Sequence, residues 1–546
     1  MAEQSQFGDA TPHPPRTGMS TLQKLHALCQ DTDPWNLSNF LPKAKMQHLS
    51  GVQLPFWRDW ASSDPCVFLV GELLHSGHKF FFDHLFKWCR ELLGHDELDM
   101  RYCTQHKRVG TRHFNGVLHI SQMTGCEHRD LQRTIVATIA GLADPDFTCA
   151  IRAIIDFLYR AQSPTFTTTS LINAMGESLA EFHAHKDSIL EMGSFGHNIQ
   201  DVSSLIQYTA DVSEHLLITH CKDPFTCTNR QRTSFTKQIV LLLDREESIP
   251  QFNLYSLLSE RGINLTNMPC VESNVPQYID PTLEWVQHVA PEEVNSFHGP
   301  RVFRNHFLKG ILSEDSTTAF HVTVQTDFAD KTSNYLVDTY NLPDFPVLLC
   351  AYIDAFPGNH SRLHGHLLKG WRKFRLQLQS RLYPRNLLPS QQVQALPPST
   401  EHPLGKCDAM LVYHRPLSGI LTAIVAQVHT VFAFSSRGLA LPTGLSDPLL
   451  YVQYFTFTAM PSDQPDVGMY AVEHMFVNNP EDGTRSRVGA IISLLDVIHT
   501  VELIPKYGTV ANCGVTSETC LELYDRFYLN NFTDKEWYYT MYQDYK

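Results

Sequence analysis

The hydrophobic pattern of this chain changes character once, and the change brackets a segment dense in proline. Residues 388–405 read LPSQQVQALPPSTEHPLG, with four prolines in eighteen residues. Proline fixes φ and lacks a backbone N–H, so this stretch predicts a linker. Before it, apolar residues recur with helical spacing. In CAIRAIIDFLYRAQ, the residues Ile151, Ile154, Ile155, Leu158 and Tyr159 fall on one helical face. Thr168 to Ser170 offer capping hydroxyls ahead of a helix with Leu171, Met175, Leu179 and Phe182 facing inward. Asp201 similarly precedes VSSLIQYTADVSEHLLITH. After the proline segment, ILTAIVAQVHTVFAF, LLYVQYFTFTA and GMYAVEHMFV are rich in Val, Ile, Tyr, Phe and Thr, with turn-like breaks between them. That pattern predicts strands.

With 546 residues, two to four domains are expected. Residues 1–50 read as a poorly ordered tail, because the opening stretch is polar and proline-bearing. Residues 51–262 read as mainly helical. Pro250 and INLTNMPCVESNVPQYIDP mark a boundary near 262–281. Residues 263–387 read as mixed α/β, ending in a basic helix from about Leu363 to Tyr383. Beyond the linker, 406–546 reads as a small antiparallel β barrel or sandwich, with a helix beginning at SETCLELYDRFYL. Asn478 to Gly483 reads as a hairpin loop. The expected fold class is α+β multidomain.

Several function classes are excluded. No run of about 18 uncharged apolar residues occurs, which argues against a membrane-spanning helix, and the opening lacks the pattern of a secretory signal. A soluble intracellular protein is expected. The 13 cysteines form no CxxC pair, so they read as reduced thiols and not as a zinc ribbon. There is no GxSxG, no GxxxxGK[ST] and no GxGxxG. His75 and His78, with Glu72 and Asp83 nearby, could share a helical face as metal ligands, but no second cluster completes the set. His183 and His185 are two apart, about 200° around a helix, so they share no metal. No resident metal or cofactor is expected.

A net charge of −14 argues against a protein that coats nucleic acid over its whole surface. It leaves room for a local patch, and one is present. From Ala355 to Thr400 there is no Asp or Glu, while Arg362, Lys369, Arg372, Lys373, Arg375, Arg381 and Arg385 supply seven positive charges. As a helix, Trp371, Phe374, Leu378 and Leu382 would line one face and leave most cations exposed. Such a row can neutralise phosphates, which makes DNA a candidate partner. A solvated face docked on an acidic neighbour is the plainer alternative.

Two long stretches resemble the Plavaka group of fungal transposases, relatives of the CACTA elements. The first, from about 51 to 260, carries LPFWRDW, ELLHSGHKFFFDHLFKW, TRHFNGVLHISQMTGCEHRDLQR, RAIIDFLYRAQ and EFHAHKD in that order. The second, from about 369 to 539, carries WRKFRLQL, LPSQQVQALPPS, PLGKCDAMLV, VAQVHTVF, HTVELIPKYG and LELYDRFYLNNFTDKEWYY. The resemblance implies a DDE enzyme with a ribonuclease-H-like core, in which three carboxylates hold two divalent metals for phosphodiester cleavage. Mg²⁺ needs hard oxygen ligands, which Asp and Glu supply with compensating charge.

At the positions that match, this sequence departs from the family. Nothing in residues 1–50 resembles the amino-terminal half that carries the first catalytic Asp. The family's P-D-L-L-H-Q is replaced by Gly71-Glu72-Leu73-Leu74-His75-Ser76, which keeps a carboxylate on a longer arm. The last acid of T-E-R-L-H is replaced by Asn229 in Thr228-Asn229-Arg230-Gln231-Arg232, where Arg230 and Arg232 would repel a cation. The remnant positions Glu72, Asn229 and Arg232 cannot assemble a two-metal site. The resemblance thus implies a truncated and degenerate transposase, catalytically inactive, with nuclear placement and retained DNA binding. Two alternatives remain: a protein-interaction module in 406–510, with a protein partner; and an active Mg²⁺-dependent nuclease recruiting Asp223, Glu214 or Asp83.

Overall fold

The computed structural model describes residues 17–47, 49, 51–55, 57–59, 77–117, 125–163, 169–190, 223–231, 234–260, 305–356, 363–383, 386–414, 422–435, 441–442, 444–478, 483 and 485–544. The chain divides into two compact units: residues 1–209 together with 305–546, and residues 210–304. The second unit is helical where described, with α-helices Asp223–Thr226 and Phe235–Glu260.

The architecture is α+β, with a helical amino-terminal region followed by antiparallel sheets that form a half-barrel. Helices Lys87–Leu93, His95–Thr104, Gly125–Ile139, Pro145–Ala161 and Thr169–His185 carry the first part of the larger unit. The stripe read on 145–161 is buried as expected: Ile151, Ile154, Ile155, Leu158 and Tyr159 all lie in the core. Asp144 starts that helix by accepting from the Asp146 N–H, with Pro145 at its first turn. Met175 and Phe182 of the next helix are buried against it, while the helix read after Asp201 lies outside the described residues. Between 51 and 262 the described residues hold helices and turns and no strand.

Residues 1–50 are not simply a tail. Helices Gly18–Asp31 and Leu37–Met46 form there and bury Leu25, Leu28, Phe40 and Ala44 together with Leu49. Thr17 and Ser20 cap the first helix reciprocally, a local signal that the polar composition obscures.

The strands, in chain order, are β1 Ile311–Leu312, β2 Thr318–His321, β3 Phe328–Lys331, β4 Leu368–Trp371, β5 Lys373–Leu378, β6 Gln391–Leu396, β7 Lys406–Cys407, β8 Ala409–His414 and β9 Thr422–Phe434. They continue with β10 Leu449–Ala459, β11 Tyr470–His474, β12 Phe476–Asn478, β13 Arg485–Arg487, β14 Gly489–Ser493, β15 Val497–Thr500, β16 Leu503–Pro505 and β17 Arg526–Leu529. One sheet has the order β1-β2-β5-β6-β7; the larger runs β15-β8-β9-β10-β11-β17-β16, with β14 on β10 and β4 bridging β3 to β9. Phe320, Phe374, Leu376 and Val393 of the first sheet meet Met410, Val428, Val431 and Leu450 of the second in one apolar layer.

Two sequence expectations fail here for one reason. The basic helix over Leu363–Tyr383 is instead β4 and β5. Phe374, Leu376 and Leu378 alternate with Lys373, Arg375 and Gln377, so the segment satisfies a period of two as well as the helical spacing that Trp371, Phe374 and Leu378 suggested. Pairing decides: β5 lies between β2 and β6, with Phe320 opposite Leu376 and Val393 opposite Phe374. Gly370 marks a close approach of the strands, since a Cβ there would meet the Phe328 ring at 2.3 Å and the Val431 carbonyl at 2.4 Å. The proposed linker, 388–405, likewise contains β6, whose Val393 and Ala395 are fully buried. Its prolines flank the strand, where no ladder N–H is needed. The β region thus begins near residue 311 and not at 406. At the chain's end, SETCLELYDRFYL gives a helix only over Cys520–Leu523 before entering the sheet as β17. β12 and β13 pair antiparallel on either side of the expected hairpin loop at 478–483, whose residues 479–482 lie outside the described residues.

Candidate nucleic-acid interface

A strand places the basic residues differently from a helix. On β5, alternation sends Phe374 and Leu376 inward and leaves Lys373 and Arg375 on the outer face of the five-stranded sheet. None of their cross-strand neighbours there is a carboxylate: Gln394 lies opposite Lys373, and Gln392 and His321 flank Arg375. The Arg375 guanidinium makes one long contact to Ser390 Oγ, at 3.4 Å. Arg372 is exposed where β4 passes into β5, its backbone N–H donating to Asp327 Oδ2 at 2.8 Å. Arg381 is exposed on the turn after β5; Glu536 receives its backbone N–H and the Ser380 hydroxyl. Lys369 is half-buried on β4 opposite Ala433. Among the described residues, none of these five side chains is in an ion pair. Arg362 and Arg385 lie outside the described residues. The structure therefore gathers Lys373 and Arg375 on one sheet face, with Arg372 and Arg381 at the two ends of the same strand.

The remnant catalytic positions are not brought together in the described residues. Glu72 and Arg232 lie outside them, as does His75. Asn229 is described in the unit spanning 210–304, where its Oδ1 accepts from the Gln231 N–H at 3.1 Å and from Ser234 Oγ at 3.2 Å. It serves there as a turn cap, the role its short amide suits. Arg230, beside it, adopts φ 58°. The other members of the histidine cluster have partners: His78 Nδ1 is 2.6 Å from Gln132 Oε1, and Asp83 pairs with Lys79 at 2.5 Å. His185 pairs with Asp146 at 2.9 Å. No group of three His, Cys, Asp or Glu residues able to hold a metal occurs among the described residues.

Sequence reading missed a buried charge network in the β region. Glu522, from the short helix Cys520–Leu523, accepts from Gln427 Nε2 at 2.9 Å and from the Arg487 guanidinium, which also donates to the Glu522 carbonyl at 2.9 Å. Burial pushes the Glu522 carboxyl up, but His429 and Arg487 beside it pull harder and leave it below the usual range. Burial also lowers His429, against the opposing pull of Glu522 beside it. Gln427, Arg487 and Glu522 lie far apart in sequence, and no spacing signals their meeting. This network ties the short helix Cys520–Leu523 to β9 and β13, an architectural role.

Comparison with known proteins separates the chain into two matched segments. Residues 1–89 match the family model of Plavaka transposase, so that segment is similar to a transposase. The match includes the first 50 residues, so the expectation that nothing there resembles the family is corrected. Residues 310–470 match a domain of unknown function, DUF6830. That segment runs unbroken from β1 into β11 and crosses 388–405, in keeping with a continuous β unit. No curated protein and no solved structure matches the chain. No helix among the described residues is long and apolar enough to cross a membrane.

Proposed function

We propose that this transposase-derived chain no longer cleaves DNA and retains DNA binding through the outer face of the five-stranded sheet. The observation that carries the reading is the pair Lys373 and Arg375 on that face, flanked by Arg372 and Arg381, without a carboxylate partner among the described residues. Unpaired cations facing solvent release counterions when they meet phosphates, and each phosphate neutralised contributes to a salt-dependent affinity. The match of residues 1–89 supplies the reason to expect DNA as the polyanion. The sequence supports the loss of cleavage: Glu72 stands with a longer arm where the family has Asp, and Asn229, followed by Arg230 and Arg232, replaces the last acid. The ribonuclease-H-like ancestry of 51–262 and a nuclear location belong to the same reading.

The test uses the full chain and a duplex oligonucleotide across a salt series. The double variant Lys373→Ala/Arg375→Ala should weaken binding and reduce the log–log salt slope by about 1.8, at roughly 0.9 for each phosphate no longer neutralised. An unchanged slope would remove this face from the reading. In parallel, supercoiled plasmid is incubated with Mg²⁺ or Mn²⁺. We expect no nicking; cleavage that disappears in Glu72→Gln would establish an active metal-dependent nuclease instead.

A further inference from the structure

A second cationic surface arises where four separated segments meet. A cleft of about 680 Å³ is walled by β11 and β17, by the β12–β13 hairpin, by the turn at Lys506–Gly508 and by the end of the helix Gly125–Ile139. Three cations enter it from different elements: Arg485, Lys506 and Arg526. Each is tied to an aromatic ring or an acid in a distinct way. The Arg485 guanidinium lies 3.8 Å over the centre of the Phe476 ring, and Lys506 Nζ lies 4.7 Å over Tyr528. Arg526 pairs across the strands with Glu473 at 3.1 Å, as the register of β11 and β17 dictates.

The balance of charge is uneven. Glu473 is committed to Arg526, and Asp525 is exposed at the cleft's edge. Arg485 has no carboxylate partner among the described residues. Lys506 is bonded to a neutral acceptor, Gln464 Oε1, at 2.7 Å. Partial burial, with Arg526 close by, lowers its affinity for a proton. Arg485 and Lys506 line one cleft on aromatic platforms, neither in an ion pair among the described residues, though Asp466 acts on Lys506 from a distance, and such cations gain from an anion that enters the cleft. The floor is shaped for close approach: Gly141 and Gly508 have φ of 82° and 69°, and a Cβ on Gly141 would stand 3.1 Å from the Gly508 carbonyl. His474 also lines the cleft; its Nε2 is 2.7 Å from the Leu521 carbonyl oxygen, while its Nδ1 has no partner among the described residues.

We propose that this cleft binds the phosphodiester backbone of single-stranded nucleic acid. A volume of this size admits a nucleotide or two, within the range of ligand pockets, and is too small for a duplex. Cations interleaved with aromatic rings are the combination that tracks single strands. The proposal rests on the nucleic-acid reading of the previous section for its class of polymer, but it uses none of the same residues.

The experiment measures binding of the full chain to a labelled 12-residue oligothymidylate and to a duplex across a salt series. Arg485→Ala/Lys506→Ala should weaken single-strand binding by about tenfold and reduce its salt slope by about 1.4, at roughly 0.7 for each phosphate of a single strand. Duplex binding should stay within about twofold. Glu473→Gln, which frees Arg526, should tighten single-strand binding severalfold. Equal weakening on strand and duplex would overturn the single-strand assignment, and no weakening on either would overturn the site. Lys373→Ala/Arg375→Ala separates the two readings: weaker duplex binding there with an indifferent cleft variant defeats this inference alone. Arg485 is exposed, so Arg485→Glu gives a folded control whose failure to weaken single-strand binding counts equally against the cleft.

Discussion

Arg101 and Arg375 show the two uses of a guanidinium in one fold. Arg101 is fully buried, and every part of it is engaged. It donates to the carbonyls of Thr138 at 2.8 Å, Ala140 at 3.1 Å and Gly508 at 2.8 Å, pairs with Glu97 at 2.6 Å, and lies 5.1 Å over the Tyr507 ring. Those partners come from both ends of the sequence, so the side chain joins the helical region to the turn after β16. Arg375, by contrast, stands on a sheet face with a single long contact to a serine hydroxyl. The difference teaches what to look for in such a molecule: a cation whose donors are all matched is structural, and one whose donors are free is available to a ligand.

That contrast predicts its own largest effect. Arg101→Ala would strip the buried Thr138 and Ala140 contacts and the part-buried one to Gly508, and leave the half-buried Glu97 without its counter-charge. Removing one partner of a buried pair costs about 3–5 kcal/mol. Denaturant unfolding should show a midpoint lowered accordingly, and Arg101→Lys should recover only part of it, because an ammonium cannot span the three carbonyls in one plane. A drop in stability below about 1 kcal/mol would mean that the junction is not held by this residue.

Buried imidazoles give the next effect, through pH. Burial, with Arg487 adding repulsion, lowers His474 from its ordinary value to about 4. Between pH 6.5 and 4 the unfolded chain binds a proton there and the folded chain does not. Stability is therefore fully present above about pH 6.5 and falls as the pH drops towards 4. At about 1.4 kcal/mol per pH unit, the loss amounts to about 3.5 kcal/mol at most. His429 and His499, also lowered by burial, act in the same direction. Unfolding measured from about pH 7 to 4 should show this slope, and His474→Gln should flatten it. An unaltered slope in that variant would assign the acid sensitivity elsewhere.

A smaller effect probes the same junction through a neutral donor. The Tyr538 hydroxyl donates to Asp156 Oδ1 at 2.9 Å inside the core shared by the helices and the C-terminal segment. Tyr538→Phe leaves the ring in place and deprives a carboxylate of one bond, at a cost of about 1–2 kcal/mol. Asp156 keeps Arg152 at 2.8 Å, which is why the cost should fall short of that for Arg101. A double-mutant cycle with Arg152→Met would show coupling if the three groups act together.

How much of this was legible depended on whether the deciding interactions were local. The stripe Ile151, Ile154, Ile155 and Leu158 lies on one turn-to-turn repeat, so spacing alone placed it in the core. The strands β9, β10 and β11 were readable from their β-branched and aromatic content. The segment carrying Lys373 and Arg375 was not, because its apolar residues satisfy two periods and only pairing with β2 and β6, about 55 and 20 residues away in sequence, chooses between them. The site fared similarly: the acid-free run drew attention to Arg372, Lys373 and Arg375, but their geometry is that of a strand. Arg485, Lys506 and Arg526 carried no signal at all, since no two of them are neighbours in sequence and the sheet alone assembles them.

The smallest effect on stability sharpens the comparison most. Lys373 and Arg375 contribute nothing buried beyond the stems of their side chains, so Lys373→Ala/Arg375→Ala should change unfolding free energy by no more than about 0.5 kcal/mol. The same double variant should bind duplex DNA more weakly and with a shallower salt slope. The pairing of an unchanged fold with a changed ligand response is what distinguishes free cations from structural ones. If the double variant instead unfolded more easily by over about 2 kcal/mol, these charges would be part of the framework, as Arg101 is, and the outer face of the five-stranded sheet would have no claim as a binding surface.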